Sequence, residues 1–448
     1  MADQDDKTIP INAAEKIGPI TALSDTTFPQ HDKENNGLID IPAGIIVEGR
    51  FQFMKQLDEG GCGTIFLVKD LTSGAQYALK AVSNKVKESS ILNFEVQVMK
   101  RLKNKKNVCQ LISSGRNNRF SYVIMTLLGQ SLFDLVVQQK FFSKSTALRV
   151  SIQCLVGIKQ LHEVGFIHRD IKTENFLKGY GTERIIYLVD FGLVREFVKI
   201  NASGQLEQRK ARARCAFRGT TKYASISAQE NNEQGRSDDL ISLLYCTAEF
   251  QKKLPWDFDE IEKVKAVKKE TPIETIFPDL PELVACHTYL NGLNYYTRPD
   301  YFKVFTYYKN EMDKIGVQYE DPYDWETSKK PPQRSLRKKT VNIENVSPIS
   351  EKKAGGSNRI SNNNSNIIRN RLMKAKRSIR KTSRRIKNSF RKRNKIDEDS
   401  SNIINDNELL EKSLDLEGSN GNKKTNQNGV LTALEEIEAE LKKNQIGF

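Results

Sequence analysis

The sequence predicts an α+β protein of two lobes carried between polar extensions, and three observations predict it. Short β-rich runs with turn signals between them fill the stretch after Gly49: FQFMKQL, TIFLVKD and QYALKAV. After Gly129 the pattern turns helical, most clearly in STALRVSIQCLVGIKQLHEVG and SDDLISLLYCTAEFQ. Both ends of the chain are polar, the first 45 residues without sustained period and the tail rich in Lys, Arg, Ser and Asn. A strand-rich segment followed by a larger helical one is the signature of a layered α+β body, here ending near Trp325.

Each part follows from its residues. Residues 1–45 mix polar residues with Pro10, Pro19, Pro29 and Pro42 and are expected to form a flexible N-terminal extension. Residues 46–128 form the strand-rich lobe, with one helix over LNFEVQVMKRL and a buried strand at SYVIMTLLG. Residues 129–325 form the helical lobe. Residues 326–448, rich in Lys, Arg, Ser and Asn, are expected to be a mostly disordered tail, basic then acidic, with candidate helices.

Composition bounds the function. The 448 residues carry a net charge of +15, yet 14 Lys and Arg with no Asp or Glu lie between Arg369 and Lys395, and 15 − 14 leaves +1 elsewhere. The basicity therefore belongs to the tail. The acidic start MADQDDKTIP has no apolar core of a signal peptide, and no run of about 18 apolar residues spans a membrane. The cysteines Cys62, Cys109, Cys154, Cys215, Cys246 and Cys286 form no Cys-x-x-Cys pair, which argues against a zinc or disulfide framework and for reduced thiols in the cytoplasm or nucleus.

The motifs fit phosphoryl transfer, which needs a phosphate cradle, a cation on the phosphates, metal ligands and an acceptor for the substrate proton. DEGGCGTI, Asp58 to Ile65, lies between two strand-like runs, where glycines let backbone amides approach phosphates; in isolation an ordinary hairpin turn is the better reading of such a cluster. Lys80 closes the strand YALK and needs a partner if buried, which Glu95 on the following helix can supply; an exposed edge lysine is the plain alternative. FIHRDIKTEN is the sharper signal. Asp170 can accept the substrate proton, Lys172 can neutralise the moving phosphate and Asn175 can bind a metal; alone, it could be a charged loop after a helix. In YLVDFG, Asp190 ends an apolar strand before a glycine, which suits magnesium. All five in this order leave little room for coincidence.

In these residues the chain resembles the eukaryotic protein kinases over about Ile46 to Trp325. FRGTTKYASISAQ in place of the usual Ala-Pro-Glu motif, with RSDDLISLLY and LPW, resembles the casein kinase I group. FRGT, VCQLISSGRNNRFSYVIMTLLGQSL and EFQKKLPW are most similar to its tau-tubulin kinase branch. The resemblance implies a bilobal kinase fold and transfer of the γ-phosphate of ATP, with Mg2+, to protein Ser or Thr near acidic or phosphorylated residues. It implies that Gly60, Gly61, Cys62, Gly63, Ile65, Ala78, Met125, Leu127 and Leu128 line the nucleotide and that Lys80, paired with Glu95, contacts its phosphates. Asp170 would be the base, aided by Lys172; Asn175 and Asp190 would bind magnesium; Asp239 would anchor the loop of Asp170 from below; and Arg218 and Lys222 would form an anion site for the substrate. Asp58 stands at the first glycine, Cys62 at the loop's aromatic, Thr173 at a Pro and Ile241 at an aromatic or acidic position.

A pseudokinase scaffold is the alternative, supported by the altered glycine loop and opposed by the intact catalytic set. The tail adds a third theme. Ile368, Leu372, Ala375, Ile379, Thr382, Ile386 and Phe390 recur at helical spacing among the basic residues. This reads either as a polybasic segment or as an amphipathic helix for an anionic membrane or acidic protein, and charge alone would serve nucleic acid. A monomer is expected.

Overall fold

The structure is a computed structural model that describes residues 39–60, 63–85, 88–258, 260–327 and 433–444, with backbone alone at 60 and 88–90. The tail stripe from Ile368 to Phe390 lies outside the described residues, as do Gly61 and Cys62. The backbone falls into two compact units, one of residues up to Val96 with Leu111–Thr126, the other of Gln97–Gln110 with the residues from Leu127 on. One is built on an antiparallel sheet and the other mainly on helices, as an α+β bilobal kinase fold requires.

The sheet unit orders its strands β1-β2-β3-β4-β6-β5. They are β1 (Ile46–Val47), β2 (Phe51–Gly60), β3 (Gly63–Asp70), β4 (Gln76–Ser83), β5 (Leu111–Arg116) and β6 (Phe120–Thr126). Helix α1 (Glu88–Arg101) follows β4. Strand residues alternate faces, so Phe53, Phe66, Val68, Leu79 and Ile124 gather in one core, with the Phe53 and Phe66 rings edge-on at 5.2 Å. Ile39 and Ile41 are buried in that core, and the Ile39 amide donates to Thr64 Oγ1 at 3.2 Å. The packed chain therefore begins ahead of residue 46: two isoleucines among polar residues carry too little periodicity to stand out, and burial fixes them.

The helical unit starts with β7 (Leu128–Ser131), α2 (Leu132–Gln139) and α3 (Lys144–His162), followed by β8 (Phe166–Ile167). The expected single strand SYVIMTLLG is two, because β6 ends at Thr126 and Leu128 opens β7, which pairs with β9 (Phe176–Gly179) and not with the large sheet. The order of that small sheet is β10-β9-β7, with β10 at Ile186–Leu188. Then come β11 (Arg195–Glu196), β12 (Val198–Ile200), β13 (Leu206–Gln208), α4 (Ile226–Gln229), α5 (Arg236–Gln251), α6 (Ile261–Glu270), α7 (Ile273–Ile276), α8 (Pro281–Asn291), α9 (Tyr301–Lys314), α10 (Asp324–Thr327) and α11 (Ala433–Lys442). Helix α3 is capped by Ser143, whose side chain accepts from the Thr146 amide, and is buried on every side from Thr146 onward. It is the central rod, packed by α5 and α9. Arg149, fully buried on it, donates to the carbonyls of Tyr319, Asp321 and Pro322 and so ties the end of the body to the core.

Candidate active site

In the sheet unit, register gathers four expected residues. Ala78 and Lys80 are two apart on β4 and therefore on one face; Met125 lies opposite Ala78 on β6 and Ile65 opposite Lys80 on β3. Lys80 Nζ lies 2.6 and 2.7 Å from the two carboxylate oxygens of Glu95, and both residues are buried. A buried ammonium is tolerated only with such a partner, so the edge-lysine alternative is removed. Gly60 pairs with Gly63 across the turn. Gly63 has φ +121°, and a Cβ there would meet the Ala81 carbonyl oxygen at 2.5 Å and Val82 Cγ2 at 2.8 Å. Only glycine fits this approach of β3 to β4. Asp58 is exposed, opposite Ile65.

In the helical unit, the loop from His168 to Asn175 is built around Asp239 of α5. The Asp239 carboxylate accepts from the backbone amides of His168 at 2.6 Å and Arg169 at 2.9 Å, and from His162 Nε2 at 2.9 Å. Burial would raise its pKa, but the hydrogen bonds from His162 and from the His168 amide win, and it is held below the ordinary value. The expected anchoring role has this geometry. Asp170, thus placed, has Lys172 Nζ 2.9 Å from Oδ2 and receives a hydrogen bond from Thr220 Oγ1 at 2.6 Å on Oδ1. Burial works against the charge of Lys172, but Asp170, Glu174 and Asp190 outweigh it and keep the lysine protonated. Gly219, at φ +113°, makes the Thr220 contact possible: a Cβ would lie 2.3 Å from the Arg169 carbonyl oxygen.

Asn175 donates through Nδ2 to the Asp170 carbonyl at 2.9 Å, which leaves Oδ1 as the acceptor of that amide. Asp190, at φ +66°, closes the strand-to-glycine turn, and its Oδ1 accepts from the Gly192 amide at 3.4 Å. Among the described residues no group of three or more His, Cys, Asp or Glu is placed to hold a metal ion. One carboxylate with one amide oxygen nevertheless fits magnesium, which takes its remaining ligands from phosphate and water. Leu127 and Leu128 are half-buried at the start of the unit.

The expected anion site divides. Lys222 is held by Glu249 and, at 2.9 Å, by Asp257, so two carboxylates balance its charge. Arg218 belongs to a different setting. Arg169 is lowered to about 9, first by burial and then by the charges of Arg218, Arg195 and Arg212, which Glu233 only partly offsets. Glu233 is engaged by Arg212 at 2.6 Å and Arg195 at 3.3 Å. Two guanidinium groups thus hold Glu233, while the charge of Arg218 bears on Arg169. Thr173, at the position of a Pro, has its hydroxyl 3.0 Å from Tyr223 Oη and 3.2 Å from Glu249. These hydrogen bonds brace the loop to α5.

Thr220 and His162 were not among the expected site residues. Thr220 lies inside the quoted FRGTTKYASISAQ, but nothing local says that its hydroxyl reaches a carboxylate 50 positions earlier. The protein kinase domain family matches residues 51–287. The chain is 37% identical over 294 residues to a Caenorhabditis elegans protein named "Putative serine/threonine-protein kinase", covering 64% of this chain and 85% of that one. It is 36% identical over 298 residues to a Dictyostelium discoideum protein named "Probable serine/threonine-protein kinase", covering 64% of this chain and 59% of the other. With the Lys80–Glu95 pair in one unit and the Asp239-anchored loop of Asp170 in the other, the chain belongs to the protein kinase domain family.

Proposed function

We propose that the chain is an ATP- and Mg2+-dependent serine/threonine protein kinase of the casein kinase I type. The observation that carries it is Asp170 held on one oxygen by Lys172 and on the other by Thr220. A carboxylate so fixed can orient a hydroxyl and take its proton, while Lys172 faces the phosphoryl group in transfer. Lys80, held straight by Glu95, serves the α- and β-phosphates, and the strand face of Ile65, Ala78 and Met125 serves the adenine. Asn175 Oδ1 and Asp190 would hold magnesium, which supplies neutralisation of the β- and γ-oxygens.

Two features support the finer reading. The segment that replaces Ala-Pro-Glu is braced from within: Ser225 Oγ bonds Asp238 at 2.5 Å, and the buried Lys268 donates to the carbonyls of Thr221 at 3.1 Å and Ala224 at 2.6 Å. The charges of Arg218, Arg195 and Arg212 that bear on Arg169 support a preference for acidic or phosphorylated neighbours of the target hydroxyl. Purified chain with labelled ATP, magnesium and acidic Ser/Thr peptides should transfer phosphate, and Asp190→Asn should not. Wild-type transfer no higher than that of Asp190→Asn, with nucleotide still bound, would leave the scaffold reading in its place.

A further inference from the structure

Helix α11 lies against α3 and α9 of the helical unit, although 433 − 327 − 1 = 105 residues separate it from the end of α10. Its inward stripe is Leu434, Ile437 and Leu441, spaced as one helical face, with Leu441 buried to 2% exposure. The surface beneath is cationic. Lys106 Nζ is 2.6 Å from Glu436. Arg298 bonds Glu163 at 2.8 Å and donates to the Lys443 carbonyl at 2.9 Å, at the end of α11 where helix carbonyls lack partners. Lys442 Nζ sits 4.4 Å over the ring of Phe302 on α9.

The telling residue is Lys159 on α3. It is fully buried; among the described residues its Nζ has no hydrogen-bond partner, and it lies 3.6 Å from Glu163 and 4.0 Å from Glu440 of α11. A helix that packed here without an acid at that position would bury an ammonium against Glu163 alone, which Arg298 already engages. The cost of that burial selects acidic helices against neutral ones.

We propose that this α3–α9 face is a peptide-binding site, built from none of the phosphotransfer residues, whose ligand is an acidic amphipathic helix, and that the chain supplies the ligand itself through residues 433–444. Charge complementarity commits the occupant: Glu436 and Glu440 of the helix meet Lys106 and Lys159 of the face, and Arg298 donates to the Lys443 carbonyl at the helix end. Because the ligand is tethered, docking is unimolecular, and a free peptide must compete with it.

Two measurements on the full chain test this. A carbodiimide, which couples amines to carboxylates in ion pairs, should join Lys106 to Glu436 in dilute protein. In an equal mixture of light- and heavy-isotope chains, the linked peptides should be all light or all heavy. Mixed pairs would mean that the helix comes from a second copy, and absence of the link would mean that the face is not occupied as argued; either overturns the proposal. In the second, a fluorescent peptide of residues 431–446 is added to Leu441→Asp chain, checked by melting to be folded. It should bind at least tenfold more tightly than to wild type, whose own helix occupies the site, and a Glu440→Lys peptide should lose tenfold or more. A peptide that fails to bind the variant, binds wild type equally well, or is indifferent to Glu440→Lys would also overturn it.

Discussion

Replacing Asp239 by Asn changes one oxygen to an NH2 group and removes a buried charge without changing volume. The carboxylate accepts two loop amides and one imidazole N–H. The amide of Asn presents a single acceptor oxygen, so at least one of the two backbone donors faces an NH2 and is left buried without a partner, at about 1–3 kcal/mol. The surviving bonds lose their charge assistance, which separates bonds of about 1.5–3 kcal/mol from neutral ones near 1. A net loss of ~3 kcal/mol follows. At roughly 2–4 °C per kcal/mol for a body of this size, the melting point should fall by ~6–12 °C. The loop of Asp170 hangs on those two amides, so the transfer rate should also fall by about 10²-fold, the scale of an ångström's misplacement. Differential scanning fluorimetry and steady-state transfer on Asp239→Asn measure both. A variant that melts within about 2 °C of wild type and keeps its rate would show that the carboxylate does not organise the loop, and the argument would fail.

Lys80→Met, which removes the cation paired with Glu95, should lower phosphate transfer by about 10²-fold or more with the fold retained; the assay is transfer beside circular dichroism. Thr220→Val keeps the shape but deletes the bond to Asp170 Oδ1, so the rate should drop by about 10-fold while melting moves little, and Thr220→Ser should restore most of it. Asp70, held well below the ordinary carboxylate range by Arg50 against the effect of burial, contributes stability that is fully present above its unfolded value of 3.8 and is lost as pH falls through the lower folded value. Urea midpoints should therefore drop on acidification below about pH 4, and Arg50→Met should flatten that drop.

What could be read in the sequence is what local pattern carries. The spacing of apolar residues marks α3 and α5, Lys80 sits on β4 and Glu95 on α1, and Asp170, Asn175 and Asp190 follow in the loops and turns after α3. What could not be read is decided by partners far along the chain. Lys222 looks like a free cation beside a groove until Glu249 and Asp257 are brought to it. Thr173 looks like a defect in a motif until Tyr223 and Glu249 are found around its hydroxyl. The ten residues of α11 form too short a stripe to be distinguished from chance, and only α3 and α9 give them a place. Gly63 and Gly219 are visible as glycines, but the carbonyls that forbid a Cβ belong to the neighbouring β4 and to the loop of Arg169.

One buried chain of hydrogen bonds extends the logic of Asp239 outward. His162 is fully enclosed, and burial lowers its pKa against the pull of Asp239, so the ring is neutral. A carboxylate can only accept, which puts the proton on Nε2 toward Asp239 and leaves Nδ1 to accept from Tyr301 Oη at 2.7 Å. Tyr301 thereby fixes the tautomer that holds Asp239, which holds the loop. Tyr301→Phe deletes one oxygen and leaves Nδ1 buried without a donor, at about 1–3 kcal/mol. It should lower the transfer rate without raising the KM for ATP, because the nucleotide-facing residues are untouched. Asp239→Asn and Tyr301→Phe act through the same imidazole, so their effects on stability should not add: the double variant should lose less than the sum by ~1 kcal/mol or more. Additivity within about 0.5 kcal/mol would mean that the two bonds are independent and that Tyr301 has no hold on the loop of Asp170.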